Sequence, residues 1–566
     1  MYKLKELLKF NCIKYNGDFL NDYFKNVRKL FFNNIFMLIT LFFTFLTYGF
    51  SLYFHATGVD DLDTIRFFDN YGLISQGRFV GQILHEVFDV MQYHVFFTMA
   101  ITIIIFIIAS VLTAALLKMI SGIKNYVVLA IFTGLLLTFP TNALIFKYLL
   151  VTVLTALGYL LSILAVVYTI QYCLTQKIKY LIVITLLLIL LISSYESFVF
   201  VYFMMILFIC LFSSTRNSKI NVTSLLQLLI ISMIVIIVAT IFESLIANGL
   251  INILNVDKLD RVSISESVWL SSDSIIHTLK SLIINIFVDH YFVALFSFSH
   301  MFHVIVTILM FVGIFTIKDR KTRWINFFIL IMINLTIFGI SIVDGKSQLP
   351  RTLQTMATFV MFGSAYVYLM LDRKIFKKGF IIISAFAVYS GAHLQNMFYE
   401  RDWQKNVEQE RFFYTIIHDV ESKYGTEQKI YFVGKYKIDD SENDDAIIQI
   451  EKNTLRGKIF NTIENRFYGG ILENEGKDYY DFSYYSNIVY LDTFGTTGYP
   501  NLKQEYLIKY INYLGYDVNA CNIKSLTVVE EEKISEDMTY YPQKGYIKKV
   551  DNCIFINIGP NDVFVK

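Results

Sequence analysis

An acidic cluster, Val59-Asp60-Asp61-Leu62-Asp63, follows the first long apolar segment of this 566-residue chain. A carboxylate costs free energy near a bilayer, so the cluster lies either on the water side of an interface or in a polar cavity. Asp60 and Asp61 come only a few residues after the apolar segment, and the end of that helix would hold them at a fixed depth. A buried carboxylate at this place could act as a general base on a sugar hydroxyl. The alternative is an ordinary solvated loop.

Asp61-Leu62-Asp63 also matches the short D-x-D pattern with which nucleotide-sugar enzymes hold a metal ion. Any acidic loop produces this pattern. Nucleotide sugars are cytoplasmic, whereas the distribution of basic residues among the loops places the cluster outside the membrane. Both points argue against a nucleotide-sugar site. The nine histidines show no close ligand spacing, and the sequence has no His-Glu-x-x-His motif. We therefore predict neither a metal site nor a cofactor.

Cationic residues on the same predicted face could bind a lipid phosphate or pyrophosphate. The candidates are Arg78, Lys346 and Arg351, alongside Arg66 and Lys147. An arginine can grip a phosphate through two parallel hydrogen bonds. We favour Arg351, because Pro350-Arg351 stands where the chain re-enters the membrane. The alternative for each residue is ordinary anchoring at the membrane edge.

The segment Ser193-Ser194-Tyr195-Glu196-Ser197 forms a polar turn between two apolar runs. An acidic residue at membrane depth is a candidate for a functional role, and Tyr195 and Glu196 are therefore possible substrate-binding residues. The alternative is that Glu196 is the partner of a nearby arginine.

The composition indicates a membrane protein. The chain is 55% hydrophobic and only 17% charged, while soluble domains have about a quarter of charged residues. A net charge of +2 gives no sign of nucleic-acid binding, and five cysteines are too few for a disulfide scaffold. Cys521 and Cys553 share the carboxyl-terminal region and could pair.

The apolar runs predict about eleven transmembrane helices, each of about 20 residues. Basic residues fall in every second loop, so with the amino terminus in the cytoplasm all these loops face the cytoplasm. The basic loops contain Lys118 and Lys124, Lys177 and Lys179, Arg216 and Lys219, 318–323, and 373–378. The predicted spans are 34–53, 94–117, 126–140, 148–173, 179–193, 197–213, 223–249, 300–317, 323–342, 354–372 and 378–395.

This order predicts three parts of the chain. Residues 1–33 form a cytoplasmic segment, 34–398 a transmembrane domain, and 399–566 an extracytoplasmic α/β domain. The last part has strand-like runs and an amphipathic helix between them. The long outer loops contain two amphipathic stretches that suit helices lying flat at the interface or lids on the bundle. The outer loops are 54–93 and 250–299; the stretches are 79–91 and 275–286; the strands are 429–433, 487–491 and 552–556; the helix is 502–514.

The chain resembles the bacterial Gtr-type (GtrII-like) glucosyltransferases of GT-C architecture. The resemblance is carried by Asp60-Asp61 with Gly77-Arg78-Phe79, by the Tyr195 turn, and by Pro350-Arg351. It extends into the tail, at 396–403 and 541–547. It implies roles for Asp60 and Asp61 as the acidic pair, and for Arg78 and Arg351 as the loop and re-entry arginines. One departure is Glu196, where the family resemblance leads us to expect an amide.

The resemblance implies transfer of a hexose, usually glucose, from a polyprenyl-phosphate carrier to a cell-surface polysaccharide on the outer face of the cell membrane. The partners would be that lipid-linked donor, the polysaccharide acceptor and the bilayer, with no nucleic acid. Asp60 or Asp61 would be the base, and Arg78, Arg351 and Lys346 would bind the phosphate. Alternatives are a lipid-linked glycan polymerase or ligase, or a flippase. A flippase predicts charged residues along a path through the spans, and the spans are nearly free of them.

Overall fold

A computed structural model gives the fold of the chain and describes two compact units. The first unit contains the described residues up to Met397 except Phe54, and the second contains Phe54 and the residues from Phe398 onward. The described residues are 18–54, 71–88, 95–146, 149–216, 222–256, 298–344, 353–425, 428–434, 500–521 and 537–559.

The described part of the first unit is helical, and its last helix continues past Met397 into the second unit. A helix lies in each of the eleven predicted membrane segments, and further helices stand between them. The helices are α1 (Phe19–Phe31), α2 (Asn34–Tyr48), α3 (Gly72–Ser75), α4 (Phe79–Phe88), α5 (Val95–Ser121), α6 (Tyr126–Leu137), α7 (Thr141–Phe146), α8 (Leu149–Thr175), α9 (Ile178–Ser194), α10 (Phe198–Arg216), α11 (Val222–Leu254), α12 (Phe298–Phe315), α13 (Arg320–Ile337), α14 (Gly339–Asp344), α15 (Thr355–Met370) and α16 (Lys374–Tyr424).

Among the described residues, five helices are long and apolar enough to cross a membrane, and a sixth span results if the bent pair α1 and α2 counts as one. Four further helices are apolar but shorter. These helices establish a membrane protein of mostly helical fold, while the total of eleven spans stays a prediction. Residues 79–88 of the amphipathic stretch at 79–91 form the helix α4, while 89–91 and the stretch at 275–286 lie outside the described residues.

Buried threonines explain how polar side chains are tolerated in the apolar helices. Thr40 donates its hydroxyl hydrogen bond to the carbonyl of Phe36, and Thr44 donates to that of Thr40, each over 2.8 Å. Thr133 and Thr169 bond in the same way one turn back. Because each hydroxyl finds its partner within its own helix, these side chains cost little in a medium without water.

Small residues allow two close approaches in the first unit. A Cβ atom on Gly158 of α8 would overlap the ring of Phe198 in α10, and one on Gly391 of α16 would overlap the carbonyl of Thr138. Helices in membranes gain stability by such close packing, because lipid tails are as apolar as the side chains. These contacts bring the start of α10 against the middle of α8.

The second unit contains a small four-stranded sheet. The strands are β1 (Lys429–Val433), β2 (Asn519–Ala520), β3 (Ile547–Val550) and β4 (Cys553–Asn557), in the order β2-β1-β4-β3. β1 is parallel to β2 and β4, while β3 and β4 are antiparallel. The predicted strands at 429–433 and 552–556 and the predicted helix, now α17 (Pro500–Tyr513), are confirmed. The predicted strand at 487–491 lies outside the described residues.

Specific bonds complete the second unit. Cys521 and Cys553 form a disulfide that links the end of β2 to the start of β4. The side chain of Gln504 continues the sheet beyond the short β2: its amide donates to the carbonyl of Phe432 over 2.6 Å and accepts from the Phe432 N–H over 2.9 Å. The Tyr546 hydroxyl donates to Asp419 over 2.6 Å; burial, and then this carboxylate, raises the pKa of Tyr546.

Candidate functional site

A glycine turn positions Arg78. After α3, Gly77 takes a positive φ of 72°, which a side chain would strain. The N–H of Arg78 then bonds the carbonyl of Leu73, and the N–H of Gly77 bonds that of Ile74, each over 2.7 Å. This pair of bonds is the Schellman motif that closes a helix. Gly77 is therefore needed for geometry, and Arg78 is held at the point where the chain turns from α3 into α4.

A second turn positions Tyr195 and Glu196. The α9 helix ends at Ser194, and Tyr195 is extended, with its N–H bonded to the carbonyl of Leu191. The carbonyls of Tyr195 and Glu196 then accept the N–H groups of Phe198 and Val199 as α10 begins. With so few residues between two helices, the side chains of this turn have little choice of direction.

The structure brings these two turns together. An Arg78 Nη atom lies 3.3 Å from a carboxylate oxygen of Glu196, and the guanidinium carbon lies 4.9 Å from the centre of the Tyr195 ring. A second Nη atom is 3.4 Å from the side-chain oxygen of Gln76. The Arg78 side chain is 20% exposed and that of Glu196 is 46% exposed. We call these three residues, Arg78, Tyr195 and Glu196, the arginine cluster.

Glu196 is interpreted from the sequence either as a substrate-binding residue or as the partner of a nearby arginine. Its carboxylate is a partner of an arginine, and that arginine is the one predicted to bind phosphate. An ion pair between side chains that both keep contact with solvent contributes about 1 kcal/mol or less. A phosphate gripped by two nitrogens of a guanidinium binds more strongly than a 3.3 Å contact of this kind. We therefore expect a phosphate ligand to compete with Glu196 for Arg78.

A buried network lies next to the arginine cluster, and it was not predicted from the sequence. The Ser197 hydroxyl donates to the side-chain oxygen of Gln354 over 2.8 Å. The Tyr159 hydroxyl lies 3.0 Å from the side-chain oxygen of Asn142 and 3.1 Å from the Gln354 carbonyl. Asn142 donates in turn to the carbonyl of Leu136. Asn142, Tyr159, Ser197 and Gln354 are all buried, and we call them the neutral network.

Aromatic rings connect the two groups. The ring of Phe198 makes edge-to-face contacts with Tyr159 and with Tyr195, at centroid distances of 4.8 and 6.2 Å. The ring of Phe106 also packs against that of Tyr159, at a centroid distance of 5.0 Å. Such contacts add stability beyond the area that they bury. A usable signal in the sequence was that Asn142, Ser197 and Gln354 each stand at the end of an apolar run.

Four of the predicted site residues lie outside the described residues: Asp60, Asp61, Lys346 and Arg351. Their roles stay predictions. Among the residues that the structure describes, no group of three or more histidine, cysteine, aspartate or glutamate side chains could hold a metal ion.

A sequence model of the family described as Glucosyl transferase GtrII matches residues 49–368, which is more than half of the chain. The chain belongs to this GtrII family. No functionally curated protein and no solved structure matches it. With its apolar helices, the chain is thus a membrane glycosyltransferase, and the predicted resemblance to the GtrII family is confirmed. The match includes every predicted site residue and ends before α16, so the part of the second unit from Phe398 onward lies outside the matched region.

Proposed function

We propose that this GtrII-family chain has GT-C architecture and moves glucose from a polyprenyl-phosphate carrier to a cell-surface polysaccharide on the outer face of the membrane. One observation carries the proposal. Residues from separate predicted outer turns meet at one end of the helices: Arg78, Asn142 and the Tyr195–Ser197 turn, with Gln354 as the first residue of the predicted span 354–372. A lipid-linked donor at the outer surface would reach the exposed part of this group.

The chemistry requires a base and a cationic phosphate site. The acceptor hydroxyl attacks the anomeric carbon of the sugar, its proton passes to a carboxylate, and the bond to the lipid phosphate breaks. Asp60 or Asp61 supplies that carboxylate. Arg78, with Arg351 and Lys346, stabilises the charge that develops on the departing phosphate. Direct displacement inverts the configuration at the anomeric carbon.

Tyr195 supports the arginine in this scheme. A guanidinium that stacks on an aromatic face keeps its plane fixed while its N–H groups stay available. The 4.9 Å distance between Arg78 and the Tyr195 ring is within the range for such stacking. Tyr195 and Glu196 are thereby proposed as residues at the border of the substrate site.

The disulfide supports the proposed orientation of the chain. Disulfides persist in oxidising compartments and are rare in the cytoplasm. The Cys521–Cys553 bond thus fits a carboxyl-terminal domain, 399–566, outside the membrane, with the amino terminus in the cytoplasm. We propose that this domain helps to position the acceptor polysaccharide.

The first experiment tests the base. Membranes that contain the Asp60→Asn or the Asp61→Asn variant are supplied with polyprenyl-phosphate glucose and acceptor glycan, and transfer is measured. We expect one of the two variants to lose about 100- to 10,000-fold in rate, the usual contribution of a general base. Full transfer by both variants would remove these residues from the mechanism.

Analysis of the lipid product separates this function from the alternatives. Release of a polyprenyl monophosphate after glucose transfer supports the proposed donor. Consumption of a pyrophosphate-linked oligosaccharide would instead identify a polymerase or ligase, and movement of an intact lipid-linked glycan without transfer would identify a flippase.

A further inference from the structure

The first helix of the described residues, α1, meets the next helix at a sharp bend. Asp18 caps it by accepting a hydrogen bond from the Asn21 N–H, and it ends at Phe31, just before Asn33 caps α2. The axes of α1 and α2 are bent by 71° at this break. If α2 spans the bilayer with an ordinary tilt, α1 therefore runs closer to the membrane plane than to its normal.

One stripe of α1 is packed against the helical bundle. Phe19, Tyr23 and Leu30 recur at helical spacing and are almost completely buried. The Tyr23 hydroxyl donates a 3.0 Å hydrogen bond to the carbonyl of Leu112 in α5. These contacts fix the rotation of α1 about its axis, so the directions of its other side chains follow from the helical period.

The neighbouring stripe is apolar and exposed. Phe24 and Phe31 have 45% and 42% of their surface exposed, and Phe32 at the corner has 77%. Across the break, Ile35 and Leu38 of α2 are also exposed, at 58% and 69%. An apolar surface on a spanning helix faces lipid, and the aromatic stripe of α1 is continuous with it.

Cations occupy the next part of the helix circumference. Lys25, Arg28 and Lys29 are all exposed, and the last two lie in the final turn beside the bend. The guanidinium carbon of Arg28 lies 6.0 Å from the centre of the Phe32 ring. The acidic residue of this helix, Asp22, stands in its first turn, at the opposite end. The helix thus presents a cationic edge directly beside an aromatic one.

We propose that α1 lies in the membrane interface and binds the headgroups of anionic phospholipids. Phe24, Phe31 and Phe32 enter the border of the hydrocarbon, and Lys25, Arg28 and Lys29 contact lipid phosphates above it. Each cation near an anionic surface contributes roughly a fivefold increase in affinity. This surface lies outside the region that matches the GtrII family, and the proposal does not rest on the transfer reaction.

The experiment reads the lipid composition next to α1. Full-length protein carrying Phe31→Trp is reconstituted into vesicles of phosphatidylcholine and phosphatidylglycerol in equal amounts. Either one lipid or the other carries bromine, which quenches nearby tryptophan fluorescence. The parent protein supplies the background from its own three tryptophans. We expect stronger quenching of Trp at position 31 by brominated phosphatidylglycerol, with the difference reduced by added salt.

Two variants test whether the cations of α1 themselves, or any basic segment of the chain, cause the preference for phosphatidylglycerol. Lys25→Gln, Arg28→Gln and Lys29→Gln together should abolish the preference for phosphatidylglycerol. The matched control, Lys318→Gln, Arg320→Gln and Lys321→Gln, removes the same charge from another basic segment and should leave the preference intact. Equal quenching by both lipids in the Phe31→Trp protein would overturn the headgroup assignment. Absence of quenching by either lipid would overturn the interfacial position of α1.

Discussion

Glu196 and Ser197 are neighbours in one turn, yet they belong to groups of opposite character. Glu196 joins the arginine cluster, where charged side chains keep contact with solvent. Ser197 joins the neutral network, where every member is buried and uncharged. The charged side chains of the arginine cluster can therefore exchange their partners for water or a ligand. The side chains of the neutral network bond each other and nearby carbonyls.

The difference is one of energetic cost. An exposed ion pair contributes about 1 kcal/mol or less, because water competes for both partners. A buried acceptor that loses its donor costs about 1–3 kcal/mol, because water cannot replace the donor. We therefore expect substitutions in the arginine cluster to change activity with little effect on stability. Substitutions in the neutral network should do the reverse.

Arg78→Ala gives the largest expected effect. Loss of a donor that stabilises developing charge lowers the rate of transfer by about 100- to 1,000-fold. The midpoint of thermal unfolding should fall less than in a variant of the neutral network, since the side chains of Arg78 and Glu196 both keep contact with solvent. Arg78→Lys is the control: it keeps the charge, loses the paired N–H groups and recovers transfer in part. A large drop in the unfolding midpoint of Arg78→Ala would contradict the difference in stability that we expect between the arginine cluster and the neutral network.

Tyr159→Phe tests the neutral network. The variant removes the hydroxyl that lies between the Asn142 and Gln354 oxygens, and should lower the free energy of unfolding by about 1–3 kcal/mol. Thermal unfolding of the purified proteins measures this change. Tyr168→Phe on the same helix is the control, because Tyr168 is partly exposed and should lose little. If Tyr159→Phe is as stable as Tyr168→Phe but inactive, the network is part of the catalytic machinery.

Glu196→Gln gives the smallest expected effect and the sharpest test of exchange at Arg78. An amide competes less well than a carboxylate for the guanidinium, so the KM for the lipid-phosphate donor should fall several-fold, with kcat nearly unchanged. Glu86→Gln is the control: it removes an exposed carboxylate whose bonded partner is Gln82. A higher KM in Glu196→Gln would mean that the carboxylate holds Arg78 in place and does not compete with the donor.

The sequence by itself determined the class of protein, the positions of the helices and the family. Long apolar runs are local signals, and a helix lies in each predicted span because a lipid environment requires backbone groups to bond within the segment. The strand at Lys429–Val433 and the helix at Pro500–Tyr513 were likewise readable from short patterns. Gly77-Arg78-Phe79 and the Tyr195 turn carried the resemblance to the GtrII family, and the family match includes both.

Only the tertiary structure decided which polar residues meet. Arg78 and Glu196 are 118 positions apart, and Tyr159 and Gln354 are 195 positions apart. Periodicity and hydropathy report the surroundings of a residue along its own helix, and they contain no information on which helices become neighbours. That packing decides the pairing of Cys521 with Cys553, the partner of Glu196 and the whole neutral network. It also decides that the arginine cluster can exchange partners and that the neutral network cannot.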